Sequence, residues 1–288
     1  MRLLLTADLH YNNRRSRPLA DNIIDQINET PHDLLVVIGD SASYDSDTLE
    51  QCLNRFTTKK PKLFLPGNHE LWTLGLDSYQ LFKHELPERI KKLGWHWLQD
   101  EPWIEKDFAI VGSIGWYDYA FAQSDLGIPE RFYEAKLSPG VAQHYFEDYS
   151  HLFNPDDDIT GPAREIIARW NDGRYVKLHR SDKDFLNELL DQLRIQLDRV
   201  KGLQVISAIH CIPFAELLPS SHKLQWDFAK AFLGSPKLGE LLLQYKNITH
   251  LFCGHSHHPA EAEIAHVKAI NIGSGYRYKT FKTLDLPD

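Results

Sequence analysis

Residues 33–40 read DLLVVIGD. An apolar run with no polar alternate describes a strand buried on both faces, and Gly39 and Asp40 describe a turn that closes it. Working outward, residues 2–7 form a second such run, RLLLTA, which ends at Asp8, Leu9 and His10. Between the two runs Ile23, Ile24 and Ile27 repeat at helical spacing, so this segment predicts a βαβ unit with a right-handed crossover. A helical stretch from Ser46 to about Phe56 then leads into a strand at 62–65, which stops at Pro66, Gly67, Asn68 and His69. Further strands are expected at 108–114, 203–209, 249–253 and 267–272, with helices at 181–200 and 238–245. Ser181 is a natural N-cap with acids in the following turn, and Phe185, Leu186, Leu189, Leu190, Leu193 and Leu197 share one face of that helix. Strands alternating with helices make this an α/β chain.

With 288 residues, 42% apolar and 11% aromatic, the chain can bury a full core as one elaborated domain or two smaller ones. Its 40 acidic and 32 basic residues leave a formal charge of -8 and no basic arm, which argues against a nonspecific hold on nucleic acid through counterion release. Cys52, Cys211 and Cys253 are odd in number, far apart and not in CxxC pairs. Neither a disulfide framework nor a zinc knuckle is expected, and a reducing cytoplasm fits. No apolar stretch approaches the ~20 residues that span a bilayer, so a soluble, unexported protein without a membrane partner is expected.

Residues 116–180 break the rhythm. They hold twelve of the thirty-three aromatic residues, with turn clusters such as NPDDD and ITGP and only short helical patterns. This is read as an insertion that caps the sheet, either as a substrate lid or as a helical subdomain whose aromatics are core. Its eleven acids against seven bases favour a small-molecule pocket over a long nucleic-acid groove.

Ligands of an open α/β sheet bind beyond the carboxyl ends of its strands. Five such ends here are polar: Asp8-x-His10, Gly39-Asp40, Gly67-Asn68-His69-Glu70, His210, and Gly254-His255-Ser256-His257. Each has a plain structural reading, as a turn, a helix cap, a helix start or a satisfied histidine. Together they bring only oxygen and imidazole donors to one edge, the donor set of a divalent metal centre. Asp40 has two carboxylate oxygens with which to bridge two cations, and Asn68 offers a neutral carbonyl. Cys211 and Cys253 adjoin such residues, but strand alternation turns them to the opposite side, into the core.

In this order, DLH, GDSA, GNHE, AIHC and GHSH resemble the signature of the calcineurin-like metallophosphoesterases, over residues 1–115 and 203–276. The resemblance implies a four-layer α/β/β/α sandwich, a single domain over 1–288 with an aromatic-rich cap inserted at about 116–180. It implies two divalent metal ions, one held by Asp8, His10, Asp40 and His257 and the other by Asp40, Asn68, His210 and His255. Manganese or iron is preferred for a site without thiolates, with zinc possible. His69 is implied as the catalytic group that assists the leaving group, as acid or hydrogen-bond donor, and Glu70 as an orienting residue behind the ligands. Gly254 lets the chain turn so that His255 and His257 reach both metals, and His258 falls off that pattern.

The implied activity is phosphoester hydrolysis by a metal-bridging hydroxide, on a small phosphodiester or nucleotide-type substrate. A phosphomonoesterase, a nuclease of the same superfamily and a noncatalytic metal-binding scaffold are the alternatives. In the Ser/Thr protein phosphatase branch an Asp followed by Arg-Gly pairs with the GNH histidine. Here Ser41, Ala42, Ser43 and Tyr44 follow Asp40, which argues against a protein phosphatase and leaves His69 without that partner. Arg14 and Arg277 are candidates for meeting the phosphate, against a solvated-loop reading. Trp116, Tyr117, Trp170 and Tyr175 are candidates for stacking on a base or aryl group, against core packing. Nothing in the sequence sets the oligomeric state.

Overall fold

A computed structural model describes residues 1–44, 47–154, 158–220 and 223–287. Its described residues form eleven strands. In chain order they are β1 (Arg2–Thr6), β2 (Leu34–Ile38), β3 (Lys62–Leu65), β4 (His96–Trp97), β5 (Trp103–Glu105), β6 (Phe108–Ser113), β7 (Gln204–Ile209), β8 (Ile248–Cys253), β9 (Ala260–Ile264), β10 (Val267–Asn271) and β11 (Phe281–Asp285). They make two mixed sheets, ordered β11-β1-β2-β3-β4 and β5-β6-β7-β8-β10-β9. The inner strands run parallel, and β11, β5 and β9 close their edges antiparallel.

The pleat explains why the central strands are mostly apolar on both faces. Leu3, Leu5, Leu34, Val36, Ile38, Leu63 and Leu65 of one sheet meet Phe108, Ile110, Ile206, Ala208, Phe252 and Ile270 of the other in a single inter-sheet core. The alternate residues Leu4, Leu35, Val37 and Phe64 face outward and join Ile24, Ile27, Leu49 and Leu53 of the covering helices. On the other sheet Val205, Ile209 and Leu251 join Leu186, Leu189, Leu193 and Leu197 of the helix Asp182–Arg199. Both faces of the central strands are buried, and the layering is the α/β/β/α sandwich that the resemblance implies.

Helix Arg17–Glu29 connects β1 to β2, and the side chain of Ser181 caps Asp182–Arg199 by accepting from Asp184 N. The helix expected from Ser46 runs over Thr48–Asn54, and Ser46 itself lies outside the described residues. Strands β4, β5, β9 and β11 were not anticipated. The first two have two and three residues, and β9 reads AEAEI with both glutamates exposed. Short edge strands lack the apolar run that marks a central one.

Residues 116–180 carry short helices and a separate small core of Phe132, Leu137, Val141, Ala142, Leu152, Ile159 and Ala163. Trp116, Tyr117, Tyr119 and Tyr133 instead join the main core. In the NPDDD cluster Pro155, Asp156 and Asp157 lie outside the described residues. No helix among the described residues is long and apolar enough to cross a membrane.

Candidate metal centre

Strands β1, β2, β3, β7 and β8 all deliver their polar ends to one place. Asp8 N donates to Gly39 O and His10 N to Asp40 O, which zips the first two loops together. Gly254 N donates to His210 O, and His255 N donates to Asp8 Oδ1 at 2.9 Å. Asp8, His10, Asp40, His255 and His257 all have left-handed backbone, with φ between 45° and 68°. Each non-glycine residue held there costs on the order of 1–3 kcal/mol, a strain that concentrates at working sites. Gly254 itself is not left-handed. It is required for close approach, since a Cβ there would lie 2.4 Å from Asp8 Oδ2, so the turn attributed to it is made by the two histidines.

The carboxylate of Asp40 stands at the middle. Its Oδ1 lies 3.3 Å from His210 Nε2, and its Oδ2 lies 3.9 Å from His10 Nε2 and 3.8 Å from His69 Nε2. Donor atoms of Asp8, His10, Asp40 and His257 fall within 4.8 Å of one another, as do those of Asp40, His210 and His255. Asn68 lines one pocket with Asp40, His255 and His257. The amide and carboxylate oxygens Asn68 Oδ1 and Asp8 Oδ2 and the ring nitrogens His210 Nε2 and His255 Nδ1 are buried without a hydrogen-bond partner among the described residues. One such atom costs about 1–3 kcal/mol, and four of them converging fit a pair of cations. His10 and His257 bring Nε2 atoms 2.8 Å apart, close to the ~3 Å between two nitrogens bound at right angles to one ion.

Backbone carbonyls fix the ring orientations. His210 Nδ1 pairs with Ile38 O at 3.0 Å and His255 Nε2 with Phe232 O at 3.1 Å, which leaves the opposite nitrogen of each ring for the centre. Burial pushes His255 down to about 4 and His257 to about 3, so both are neutral at pH 7, the form that binds metal. Burial opposes ionisation of Asp40, but His69 and His210 hold its carboxyl well below the usual range. Burial pushes Asp8 up to about 7, a carboxyl that needs a nearby cation to stay ionised.

Glu70 reaches away from these atoms and accepts from the backbone N–H groups of Gly67, Asp40, Ser41 and Ala42, at 2.6, 2.9, 2.6 and 3.1 Å. It ties the β2 and β3 loops. His69 is buried, with Trp72 stacked on its ring at 3.7 Å between centroids. Above the centre is a pocket of about 200 Å³, walled by Trp72, Trp170, Trp226 and Tyr276. Arg14 and Arg277 are exposed and do not border it; the cation that does is Arg169. Trp116 and Tyr117 are core, Trp170 lines the pocket, and Tyr175 stacks behind Trp72. His258 is exposed and borders a neighbouring groove.

Three supporting residues escaped the sequence reading. Asn271 donates to Gly254 O and Ser256 Oγ, Lys279 donates to Asp8 O at 2.5 Å, and Asp172 bonds Asn68 at 2.8 Å. Only Asn271 carried a signal, as a polar residue ending an apolar strand.

The two facing sheets, and the two adjoining donor clusters that share Asp40 at their strand ends, have the arrangement that the resemblance to the metallophosphoesterases implies. The chain belongs to the calcineurin-like phosphoesterase family, whose profile matches residues 1–259. Over 77 residues it is 34% identical to the [acyl-carrier-protein] phosphodiesterase PptH of Mycobacterium tuberculosis. That stretch covers 26% of this chain and 22% of the relative. The crystal structure of phosphopantetheinyl hydrolase (PptH) from Mycobacterium tuberculosis superposes with a TM-score of 0.69 at 19% identity, covering 96% of this chain and 89% of that one. A dimetal phosphatase from Danio rerio gives 0.54 at 14% identity, covering 98% and 91%. These likenesses establish a shared fold.

Proposed function

We propose that the chain hydrolyses a small phosphodiester or nucleotide-type ester at a two-ion centre. Asp8, His10, Asp40 and His257 would hold the first ion, and Asp40, Asn68, His210 and His255 the second. The observation that carries this is Asp40, whose two oxygens face different sets of histidines. Divalent ions in these places supply Lewis acidity toward a phosphoryl oxygen and lower the pKa of water. An oxygen and imidazole donor set supports manganese or iron.

The chain's own groups supply the rest. His69 borders the pocket and points Nε2 at its floor, in place to stabilise the leaving oxygen. Burial lowers its pKa, so at pH 7 the ring is neutral and gives an N–H hydrogen bond rather than an imidazolium proton. Trp72 fixes the ring plane. Glu70 clamps the backbone of Asp40, so the bridging carboxylate is positioned before substrate arrives.

The pocket favours a diester. Among the described residues Arg169 is its one lysine or arginine, and its walls are aromatic, which suits a monoanionic phosphate with two organic arms over a dianionic monoester. The partial match to a phosphodiesterase of acyl-carrier protein adds phosphopantetheine esters to the substrates worth testing. Residues 116–180 serve as an inserted cap within a single domain, contributing Arg169, Trp170 and Asn171 to the pocket. Three buried free cysteines support a reducing, cytoplasmic setting.

A panel of holo-acyl-carrier protein, cyclic nucleotides, nucleoside monophosphates and single-stranded DNA and RNA, each with manganese, tests this reading. Turnover of small diesters or of the carrier-protein ester above monoesters is expected. Exclusive monoester turnover, or processive shortening of the nucleic acids, would replace it.

A further inference from the structure

Asp172 is fully buried, and its carboxylate accepts four hydrogen bonds. Oδ1 takes Asn68 Nδ2 at 2.8 Å and Trp72 Nε1 at 2.6 Å. Oδ2 takes Tyr117 OH at 2.9 Å and Trp170 Nε1 at 2.8 Å. All four donors are neutral, and together they use the acceptor capacity of a carboxylate, about four lone-pair sites. Burying a charge in this way is costly, and the fold needs an acceptor-only group here for a reason.

The reason lies in Asn68. A side-chain amide presents an oxygen on one side and a donor on the other, and rotation about its last bond exchanges them. An ionised carboxylate accepts and never donates, so Asp172 takes the NH₂ end and leaves Oδ1 turned away from it. That oxygen is buried and without a partner among the described residues, in the pocket that Asn68 shares with Asp40 and His255 of the proposed second site. A flipped amide would set oxygen against oxygen. The same Oδ1 of Asp172 also holds the indole that stacks on His69.

We infer that Asp172, delivered by the inserted segment from 104 residues away in the chain, is a positioning residue of the metal centre: it orients Asn68 toward the second ion and steadies Trp72 against His69. This rests on the two-ion reading above. It explains how His69, which has no aspartate partner from the loop after Gly39-Asp40, is still held in place, through an indole anchored to an aspartate from elsewhere. The insertion is thereby part of the centre as well as its cover.

Manganese binding by calorimetry, on metal-stripped full-length protein, separates the two claims. Wild type is expected to show two binding events; a single event, or none, would refute the two-ion reading itself. Asp172→Asn keeps the shape but presents one acceptor and a donor group to four donors. It should weaken one event by about 10–100-fold, the usual effect of losing a ligand's orienting partner, and leave the other unchanged. Two unchanged events, or equal weakening of both, would overturn the inference. The double variant Asn68→Asp with Asp172→Asn reverses donor and acceptor and should regain the lost event. It should also bind more tightly at that site than Asn68→Asp alone, where two carboxylates face each other. A folded double variant with no recovery, or one no tighter than Asn68→Asp alone, would overturn it. If neither Asp172 variant folds, Asp172 belongs to the fold and the inference also fails.

Discussion

Asp40→Asn is expected to remove both metal ions together and to lower turnover by about a thousandfold or more, since ions of this kind are worth several kcal/mol in the transition state and each 1.4 kcal/mol is a factor of ten. The oxygens of Asp40 face different ligand sets, Oδ1 toward His210 and Oδ2 toward His10. An asparagine keeps one oxygen and turns an NH₂ group at the other ion. The fold should survive, because the backbone of Asp40 keeps its bonds to Glu70 and His10. Metal content by mass spectrometry after desalting, beside a thermal melt, checks this. A folded variant that retains either ion at wild-type occupancy would show that Asp40 does not bridge.

His69→Ala is expected to behave in the opposite way, with metal content unchanged and kcat reduced by about 10²–10³-fold, the range for losing one hydrogen-bond donor aimed at a developing negative charge. The ring sits at the pocket with Trp72 on its face, and its Nδ1 has no partner among the described residues. A group that assists departure matters least when the leaving group is already good. The loss should therefore be small for nitrophenol esters and large for alkyl esters. Equal losses on both would move His69 to substrate binding, and loss of an ion would make it a ligand.

The parts of this fold that were legible in the sequence are those written in unbroken stretches. Central strands buried on both faces are apolar over most of their length, so β1, β2, β3, β6, β7, β8 and β10 stood out, as did the polar residues at their ends. Edge strands such as β9, with alternating Ala and Glu, leave no such trace. The candidate ligands were legible because each follows a strand within four residues. Asp172 was not, because its role depends on four donors brought together by tertiary packing, one of them 104 positions distant. Arg169 was missed for a related reason: nothing local distinguishes it from Arg14 or Arg277, and only the folding of the insertion sets it at the pocket. The left-handed backbone at Asp8, His10 and Asp40 also has no local signature, since it is imposed by the loops that cross there.

The measurement that bears most directly on the central claim is nitrophenol release from bis-nitrophenyl phosphate and from mono-nitrophenyl phosphate, each with added manganese and with a chelator. Turnover that the chelator abolishes, manganese restores and the diester dominates is the predicted result. Turnover indifferent to the chelator, or none from protein carrying two ions, would contradict the account of this site as a two-metal phosphodiesterase.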